Sequence, residues 1–225
     1  MAKCSASTQQ EMGMIALVCE PDQRDATLQA ISRHLSSNPD LRCNIANINS
    51  KTQFVLSGEI AHINTVLQHI RHFDSHDPRA VRLKADSPFH SPLMQPAVEL
   101  MRSLLSAPNA VTFNLSTLPC ISNITAAPFS SAAELVDLVA RSAAEPVLWH
   151  QSIVHLHRDH KVKRWIGIGP GKVGRNLVGK EVGMKGVDVK GGGVLALTDP
   201  KEIEEFMRAL ETTNSAGDGD ADGDV

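Results

Sequence analysis

The sequence predicts an α/β protein in two regions, which differ in how strands and helices follow one another. Over residues 12–86 the hydrophobic pattern changes between the repeat of about two residues typical of strands and that of about 3.6 typical of helices, in the order β-α-β-β-α-β. Over residues 87–212 helices alternate with short apolar runs, as in layered parallel sheets. Hydrophobic residues make up 42% of the 225 residues, which is enough to fill a core.

The first region contains two helices, each placed between strands. Pro21 stands at a helix start, and the second helix puts Ile60, Ile63 and Val66 on one face. The polar residues 50–52 separate two β-rich runs, which is typical of an antiparallel pair. The predicted elements cover residues 13–19, 21–35, 41–49, 53–58, 59–73 and 80–86. Their order predicts a ferredoxin-like unit, a small sheet with both helices on one face.

The second region begins with a helix that follows the segment SPFHSPLM. Ser130 or Ser131 is placed to cap a later helix, and residues 191–193 are glycines that we expect to form a flexible loop. The predicted helices cover residues 93–105, 130–143, 149–160 and 172–182, buried strands cover 118–125 and 163–169, and a strand and a helix lie within 194–210. We treat residues 1–11 as a leader and predict that residues 213–225, rich in Gly and Asp, are a disordered acidic tail.

Composition excludes several classes of function. The net charge is −3 and the basic residues are scattered, so we expect binding neither to nucleic acid nor to an anionic membrane. No apolar run approaches the ~20 residues of a spanning helix, and the first residues lack the apolar core of a secretory signal. Four cysteines without a CxxC pair argue against a zinc site or a disulfide framework. We expect no metal and no cofactor.

Nine of the ten histidines fall outside any catalytic pattern. Two groups of them, one around residues 69–76 and one over residues 150–160, have spacings that could place two imidazoles on one helix face. Neither group includes the carboxylate or cysteine of a known metal signature. We therefore interpret both as solvated helix faces.

His90 is the tenth histidine, and it lies between Pro88 and Pro92 just before a helix. A neutral imidazole can take a proton from a serine or thiol nucleophile and return it to a leaving group. Position alone also fits a surface or capping histidine. The serine that such chemistry needs normally stands in a G-x-S-x-G elbow between strand and helix, and the sequence contains no such pentapeptide.

Four segments resemble the malonyl-CoA:acyl carrier protein transacylases in order and spacing. They are ANINSKTQFVLSG at residues 46–58, SPFHSPLM at 87–94, EPVLW at 145–149 and GIGPGKV at 167–173. The resemblance extends over residues 12–212. It implies an α/β-hydrolase-like acyltransferase core with an inserted ferredoxin-like small subdomain. Residues 12–86 would be that small subdomain, and residues 87–212 the C-terminal part of the large one.

The resemblance also implies roles for individual residues. His90 would be the catalytic base that activates a serine, and malonyl would pass from malonyl-CoA through an acyl-serine to the phosphopantetheine thiol of acyl carrier protein. Asn47 and Asn49 would line the substrate cleft, although both could instead hydrogen-bond locally in their turn. Phe89 would favour malonyl over methylmalonyl. The backbone carbonyl near Ser142 would orient the histidine.

The sequence lacks the motifs that members of this family have upstream of the position matching Met12. The oxyanion loop, the serine elbow and the arginine for the malonyl carboxylate are all missing, so the chain is expected to be a fragment, inactive without an N-terminal region of the same enzyme. The alternative is a non-catalytic module that binds acyl carrier protein. By resemblance to eukaryotic relatives we expect a mitochondrial protein, and otherwise a cytoplasmic one.

Overall fold

The computed structural model describes residues 10–107, 113, 118–184, 186–188 and 192–215. Contacts divide the chain into two units, Met1–Ser152 and Ile153–Val225, and each is described by itself. In the described residues no helix is both long and apolar enough to cross a membrane.

The first unit begins with a four-stranded antiparallel sheet and two helices. Its elements are β1 (Met12–Val18), α1 (Arg24–Ser37), β2 (Cys43–Ile48), β3 (Gln53–Glu59), α2 (Ile60–Phe73) and β4 (Arg79–Arg82). The strands lie in the order β2-β3-β1-β4. The β-α-β-β-α-β order predicted from the sequence is therefore the observed one, although β4 ends four residues earlier than predicted.

Strand β1 is buried on both faces of this sheet. Ile15 and Leu17 join the core that α1 and α2 cover, together with Phe54 and Leu56 of β3. On the opposite face Met14 and Ala16 pack with the residues Ala46, Val55, Leu83, Ala85 and Phe89. Burial on both faces explains why β1 is a continuous apolar run without the alternation of a half-exposed strand. The second face also ties the loop that contains Phe89 to the sheet.

Gly58 allows β3 to approach the residues that lead into β2. Its φ is +145°, and a Cβ placed there would lie 2.5 Å from Cys43 Cα. The close approach lets Glu59 N donate to Arg42 O at 2.9 Å. The Glu59 side chain, 1% exposed, is paired with Arg42 at 2.5 Å and with His62 at 3.3 Å. The charge of Arg42 thus compensates the buried carboxylate, while His62 Nδ1 accepts from Arg42 N at 2.9 Å and so does not donate to Glu59.

We predict that Gly58→Ala lowers the free energy of unfolding by about 2–4 kcal/mol, because the added methyl overlaps backbone and the positive φ is strained for alanine. Urea denaturation followed by circular dichroism measures this loss. Gly167→Ala is the control, since its Cβ would meet only Leu195 O at 3.8 Å. Equal losses in the two variants would contradict the explanation.

Cys43 is half-buried beside Glu59. Burial, followed by the charge of Glu59, raises the pKa of its thiol to about 12 from an ordinary 9.0. A raised thiol pKa favours the protonated form in the fold. The stability that this provides is complete below the unfolded pKa and is lost as the pH rises from 9 towards 12.

Alkylation should therefore distinguish Cys43 from the exposed Cys120. At pH ~8 we predict that iodoacetamide modifies Cys43 about a thousandfold more slowly than an ordinary thiol, because only the thiolate reacts. Peptide mass spectrometry at several time points measures the two rates in one sample. Comparable rates at Cys43 and Cys120 would show that the thiol of Cys43 is not suppressed.

The rest of the first unit is helical. A 3₁₀ turn (Pro92–Met94) leads into α3 (Gln95–Leu105), which packs against α4 (Ala132–Arg141). Ser131 caps α4, because its Oγ accepts from Glu134 N at 3.1 Å. The shared core consists of Met94, Ala97, Val98, Ala140, Ala143 and Ala144, with Phe89 against it.

The strand predicted over residues 118–125 is wrong. Ile121 makes only an isolated bridge with Pro128. Several of its backbone hydrogen bonds are local, as in Phe129 N to Cys120 O at 3.0 Å, and Leu148 N donates to Asn123 O at 2.7 Å. Leu118 is 75% exposed. In the described residues the segment therefore forms a turn and belongs to neither sheet.

The second unit has a three-stranded sheet in the order β5-β7-β6. Helix α5 (Trp149–Arg158) leads into it, and its elements are β5 (Arg164–Ile168), α6 (Val173–Val182), β6 (Gly186–Asp188), β7 (Gly192–Leu197) and α7 (Ile203–Ser215). Strands β5 and β7 are parallel, as predicted from the sequence. The sequence did not predict β6, which pairs antiparallel with β7.

Glycines explain the differences in the second unit. Gly192 and Gly193 begin β7, where a loop was expected, because they pair with Asp188 and Val187 of β6.

Helix α7 continues to Ser215, three residues into the predicted tail. The remaining tail residues and the leader residues 1–9 lie outside the described residues, as does Gly191.

Candidate active site around His90

The loop over residues 87–91 holds His90 in an uncommon backbone conformation. His90 has a φ of +57°, and its backbone N–H donates to Ala143 O at 3.0 Å. The side chain of Ser91 is fully buried, and its Oγ donates to Pro88 O at 2.7 Å. A left-handed conformation in a residue other than glycine is strained, and these hydrogen bonds offset that strain.

The imidazole of His90 is bonded through one ring nitrogen. Nδ1 lies 2.8 Å from Ser142 O. Because a carbonyl oxygen can only accept, Nδ1 carries the proton and the neutral ring has its lone pair on Nε2. In the described parts of the chain no hydroxyl or thiol is hydrogen-bonded to Nε2. The ring is half-buried and is prepared to accept a proton there.

The two carbonyls that hold His90 come from the turn after α4. Ser142 follows the last residue of the helix, and Ala143 comes next. The Ser142 hydroxyl is occupied elsewhere, donating to Val139 O at 2.6 Å. The contact expected from the resemblance, a backbone carbonyl at Ser142, is therefore present in the structure. Any side chain at this position could supply it.

The same turn continues to strand β2. Val147 N donates to Ala46 O at 2.8 Å, and Ile48 N donates to Val147 O at 2.9 Å. The register of β2 against β3 shifts at Ala46, which makes a bulge where the incoming segment joins. Three of the four motif segments therefore meet in the first unit. The fourth, residues 167–173, belongs to the second unit.

The structure places Asn47 and Asn49 at the end of β2. Asn47 forms a parallel bridge with Val147, so Asn47 and His90 contact the two ends of one segment. The local turn is closed by backbone bonds, including Asn49 N to Gln53 O at 2.9 Å. Among the described residues the side-chain amides of Asn47 and Asn49 have no hydrogen-bond partner.

Phe89 lies half-buried between two apolar clusters. It packs against the cluster on the second face of the first sheet, which contains Met14 and Val55, and against the α3–α4 core, which contains Met94. The ring therefore sets where the loop runs.

Beside this turn lies an ion-pair network that we did not predict from the sequence. Arg141 is bonded twice to Glu145, at 2.5 and 3.0 Å, and to Asp137 at 3.2 Å. Asp137 also accepts from Arg102 of α3 at 2.9 Å. The spacing of four residues between Asp137, Arg141 and Glu145 was the available signal. Hydrogen bonds from Arg102 and then Arg141 hold the pKa of Asp137 below its ordinary value.

The described residues offer no group of three or more His, Cys, Asp or Glu side chains that could hold a metal ion. The imidazoles of His155 and His160 do approach each other, with 3.1 Å between their Nε2 atoms. His155 Nδ1 is bonded to Asp159 at 2.8 Å. Without a third ligand this pair remains a hydrogen-bonded surface group.

We predict that Ser91→Ala lowers the free energy of unfolding by about 1–2 kcal/mol, because it leaves the buried Pro88 carbonyl without its donor. Ser103→Ala is a matched control: Ser103 Oγ donates to Leu100 O at 2.8 Å, three residues earlier, but is exposed. Its loss should stay below about 0.5 kcal/mol. Thermal or urea denaturation compares the two, and equal losses would contradict a special role for the buried bond.

Comparison with proteins of known function gives a consistent result. No family model matches the chain. The malonyl CoA-acyl carrier protein transacylase of Bacillus subtilis is 31% identical over 170 residues, which are 76% of this chain and 50% of that protein. The protein of the same name in Synechocystis is 30% identical over 162 residues, 72% of this chain and 50% of that protein. The chain thus spans about half the length of the curated relatives it matches.

Solved structures agree with this similarity. The acyl-carrier-protein-S-malonyltransferase of Bartonella henselae superposes with a TM-score of 0.71 at 28% identity. The match covers 93% of this chain and 62% of that one. An α/β fold of this kind is therefore shared over nearly the whole chain.

Proposed function

We propose that this chain, a relative of the malonyl CoA-acyl carrier protein transacylases that spans about half of their length, supplies the histidine base for malonyl transfer. The serine nucleophile would come from a polypeptide region outside this chain. The observation that carries the proposal is the bond from His90 Nδ1 to Ser142 O, which leaves Nε2 as a proton acceptor. The position of the polar residues Asn47 and Asn49 at the end of β2, where Asn47 bridges to Val147, supports a binding surface nearby.

The reaction would run in two half-reactions. His90 Nε2 takes the serine proton as the serine oxygen attacks the malonyl thioester carbonyl, and the imidazolium returns that proton to the departing coenzyme A thiolate. The malonyl group is then an ester on the serine. The phosphopantetheine thiol of acyl carrier protein attacks this ester and gives its proton to Nε2, from which it passes to the released serine oxygen.

We assign residues 12–86 to a ferredoxin-like small subdomain and residues 87–212 to the C-terminal part of an α/β-hydrolase-like core. The strand order β2-β3-β1-β4 with two connecting helices supports the first assignment. The parallel pair β5 and β7, whose connection contains α6 and the short strand β6, supports the second. In this arrangement Asn47, Asn49 and Phe89 line the acyl pocket, where the ring of Phe89 disfavours a 2-methyl branch and so favours malonyl.

The free edge of β5 supports the need for another polypeptide region. In the described residues β5 pairs only with β7. Ile166 and Ile168, on one face of this strand, are 44% and 80% exposed, and Val173 at the start of α6 is 72% exposed. Parallel strands in α/β proteins are normally paired and covered on both sides. A further parallel strand would pair with the free edge of β5, and a helix connected to it would cover the exposed apolar face.

The test is reconstitution with a separate N-terminal acyltransferase segment chosen because its sequence contains a G-x-S-x-G elbow. With radiolabelled malonyl-CoA, we predict no acyl-enzyme from this chain alone, and label on the added segment and then on acyl carrier protein from the mixture. His90→Ala should lower transfer by roughly 10⁴- to 10⁶-fold. His72→Ala, an exposed histidine of α2, should not.

Two outcomes would count against the proposal. Label on this chain alone would place the nucleophile within it, and full transfer by a mixture containing His90→Ala would remove the histidine from the chemistry. A mixture without transfer, together with binding of acyl carrier protein by the chain that His90→Ala leaves unchanged, would instead support the non-catalytic binding module.

A further inference from the structure

We propose that Arg141 is a positioning residue for His90, acting through Glu145 to hold the turn after α4 against the imidazole. This inference rests on the proposed role of His90 as a base, but it concerns how the ring is held and not whether it reacts. Arg141 touches neither His90 nor any reacting group. Its effect would pass through the backbone of Ser142 and Ala143.

Both hydrogen bonds of His90 go to one short turn. Its ring is bonded to Ser142 O at 2.8 Å and its backbone to Ala143 O at 3.0 Å. Consecutive carbonyls therefore determine where the histidine lies and which nitrogen carries the proton. A small rotation of this turn would change both contacts together.

Arg141 and Glu145 lie on either side of this turn in the sequence. Arg141 is the last residue of α4, and Glu145 is the first residue after the segment 142–144. The backbone of Arg141 accepts from Ala144 N at 2.9 Å and from Glu145 N at 3.1 Å. Two nitrogens of the Arg141 guanidinium donate hydrogen bonds to the two carboxylate oxygens of Glu145. Two parallel bonds fix direction as well as distance, which a single ion contact does not.

The network of hydrogen bonds and ion pairs around Arg141 continues beyond the turn on both sides. Arg141 also bonds Asp137, which Arg102 of α3 holds in turn. Past Glu145, Val147 is bonded to strand β2. Bonding to Glu145 first and to Asp137 second raises the pKa of Arg141, so the guanidinium remains charged. The turn is thus anchored to α3 and α4 at one end and to the sheet at the other.

The solvent exposure of the Arg141–Glu145 ion pair distinguishes a role in positioning the turn from a role in stabilising the fold. The side chains of Arg141 and Glu145 are 39% and 34% exposed. Ion pairs this accessible to water contribute little to folding stability. If Arg141 only stabilised the protein, its removal would change little that can be measured; if it positions the turn, the change should be seen at the His90 ring.

The experiment measures the tautomer of His90 by ¹⁵N NMR of the full chain at pH ~8, where an ordinary imidazole is neutral. In the unsubstituted chain we expect the Nδ1–H form. In Arg141→Gln we expect the ratio of Nδ1–H to Nε2–H to fall about two- to tenfold, the range that one weakened hydrogen bond supplies. Arg102→Gln is the matched control, because it also loses a bond to Asp137 but leaves Glu145 untouched, and it should keep the Nδ1–H form.

Arg141→Lys keeps the proposal testable if Arg141→Gln does not fold, as judged by its amide spectrum. Lysine retains the charge but cannot form the paired bonds to Glu145, so the tautomer ratio should still fall. A folded variant of either kind with unchanged His90 resonances would overturn the positioning role, as would an equal change in Arg102→Gln. The readout needs no nucleophile. A changed tautomer without transfer in the reconstituted enzyme would therefore overturn the proposed function and leave the positioning role intact.

Discussion

A carbonyl oxygen can only accept a hydrogen bond, and this limits the neutral imidazole of His90 to one form. With its proton on Nδ1 facing Ser142 O, the ring has its only lone pair on Nε2. The contact requires that two segments distant in sequence, the loop after β4 and the turn after α4, meet at hydrogen-bonding distance. The rest of the first unit can be understood as what holds these two segments there. Phe89 anchors the loop to the sheet and to α3, and Val147 anchors the turn to β2.

The local conformation of His90 also depends on these anchors. A residue with a side chain in the left-handed region costs roughly 1–2 kcal/mol relative to ordinary backbone. Hydrogen bonds offset this conformational cost. They join His90 to Ser142 and Ala143, and the buried hydroxyl of Ser91 to Pro88. A conformation so maintained is typical of residues whose orientation matters more than their contribution to stability.

Local patterns predicted most elements, and failed where pairing with distant segments decided the outcome. The repeats in residues 12–86 identified β1 and β3 because these strands bury their own apolar residues, whereas β4 is exposed along its length and was identified by its alternation alone. Residues 118–125 have the composition of a strand but no neighbouring strand, and β6 is a strand only because β7 offers hydrogen bonds. In the site, His90 was identified from its proline-framed loop and motif. The approach of Val147 to Asn47 had no local signal, and the Arg141–Glu145 pair resembled any helical ion pair.

If Phe89 lines the acyl pocket as proposed, substrate choice would be linked to folding, and this would restrict how such a site could diversify. Its ring fills space in two separate cores, at the second face of β1 and between α3 and α4. A smaller residue that made room for a branched acyl group would leave a void in both cores at once, and cavities of this kind are costly. A lineage that changed its acyl substrate at this position would therefore need compensating changes at Met14 or Met94, so that specificity and packing would evolve together.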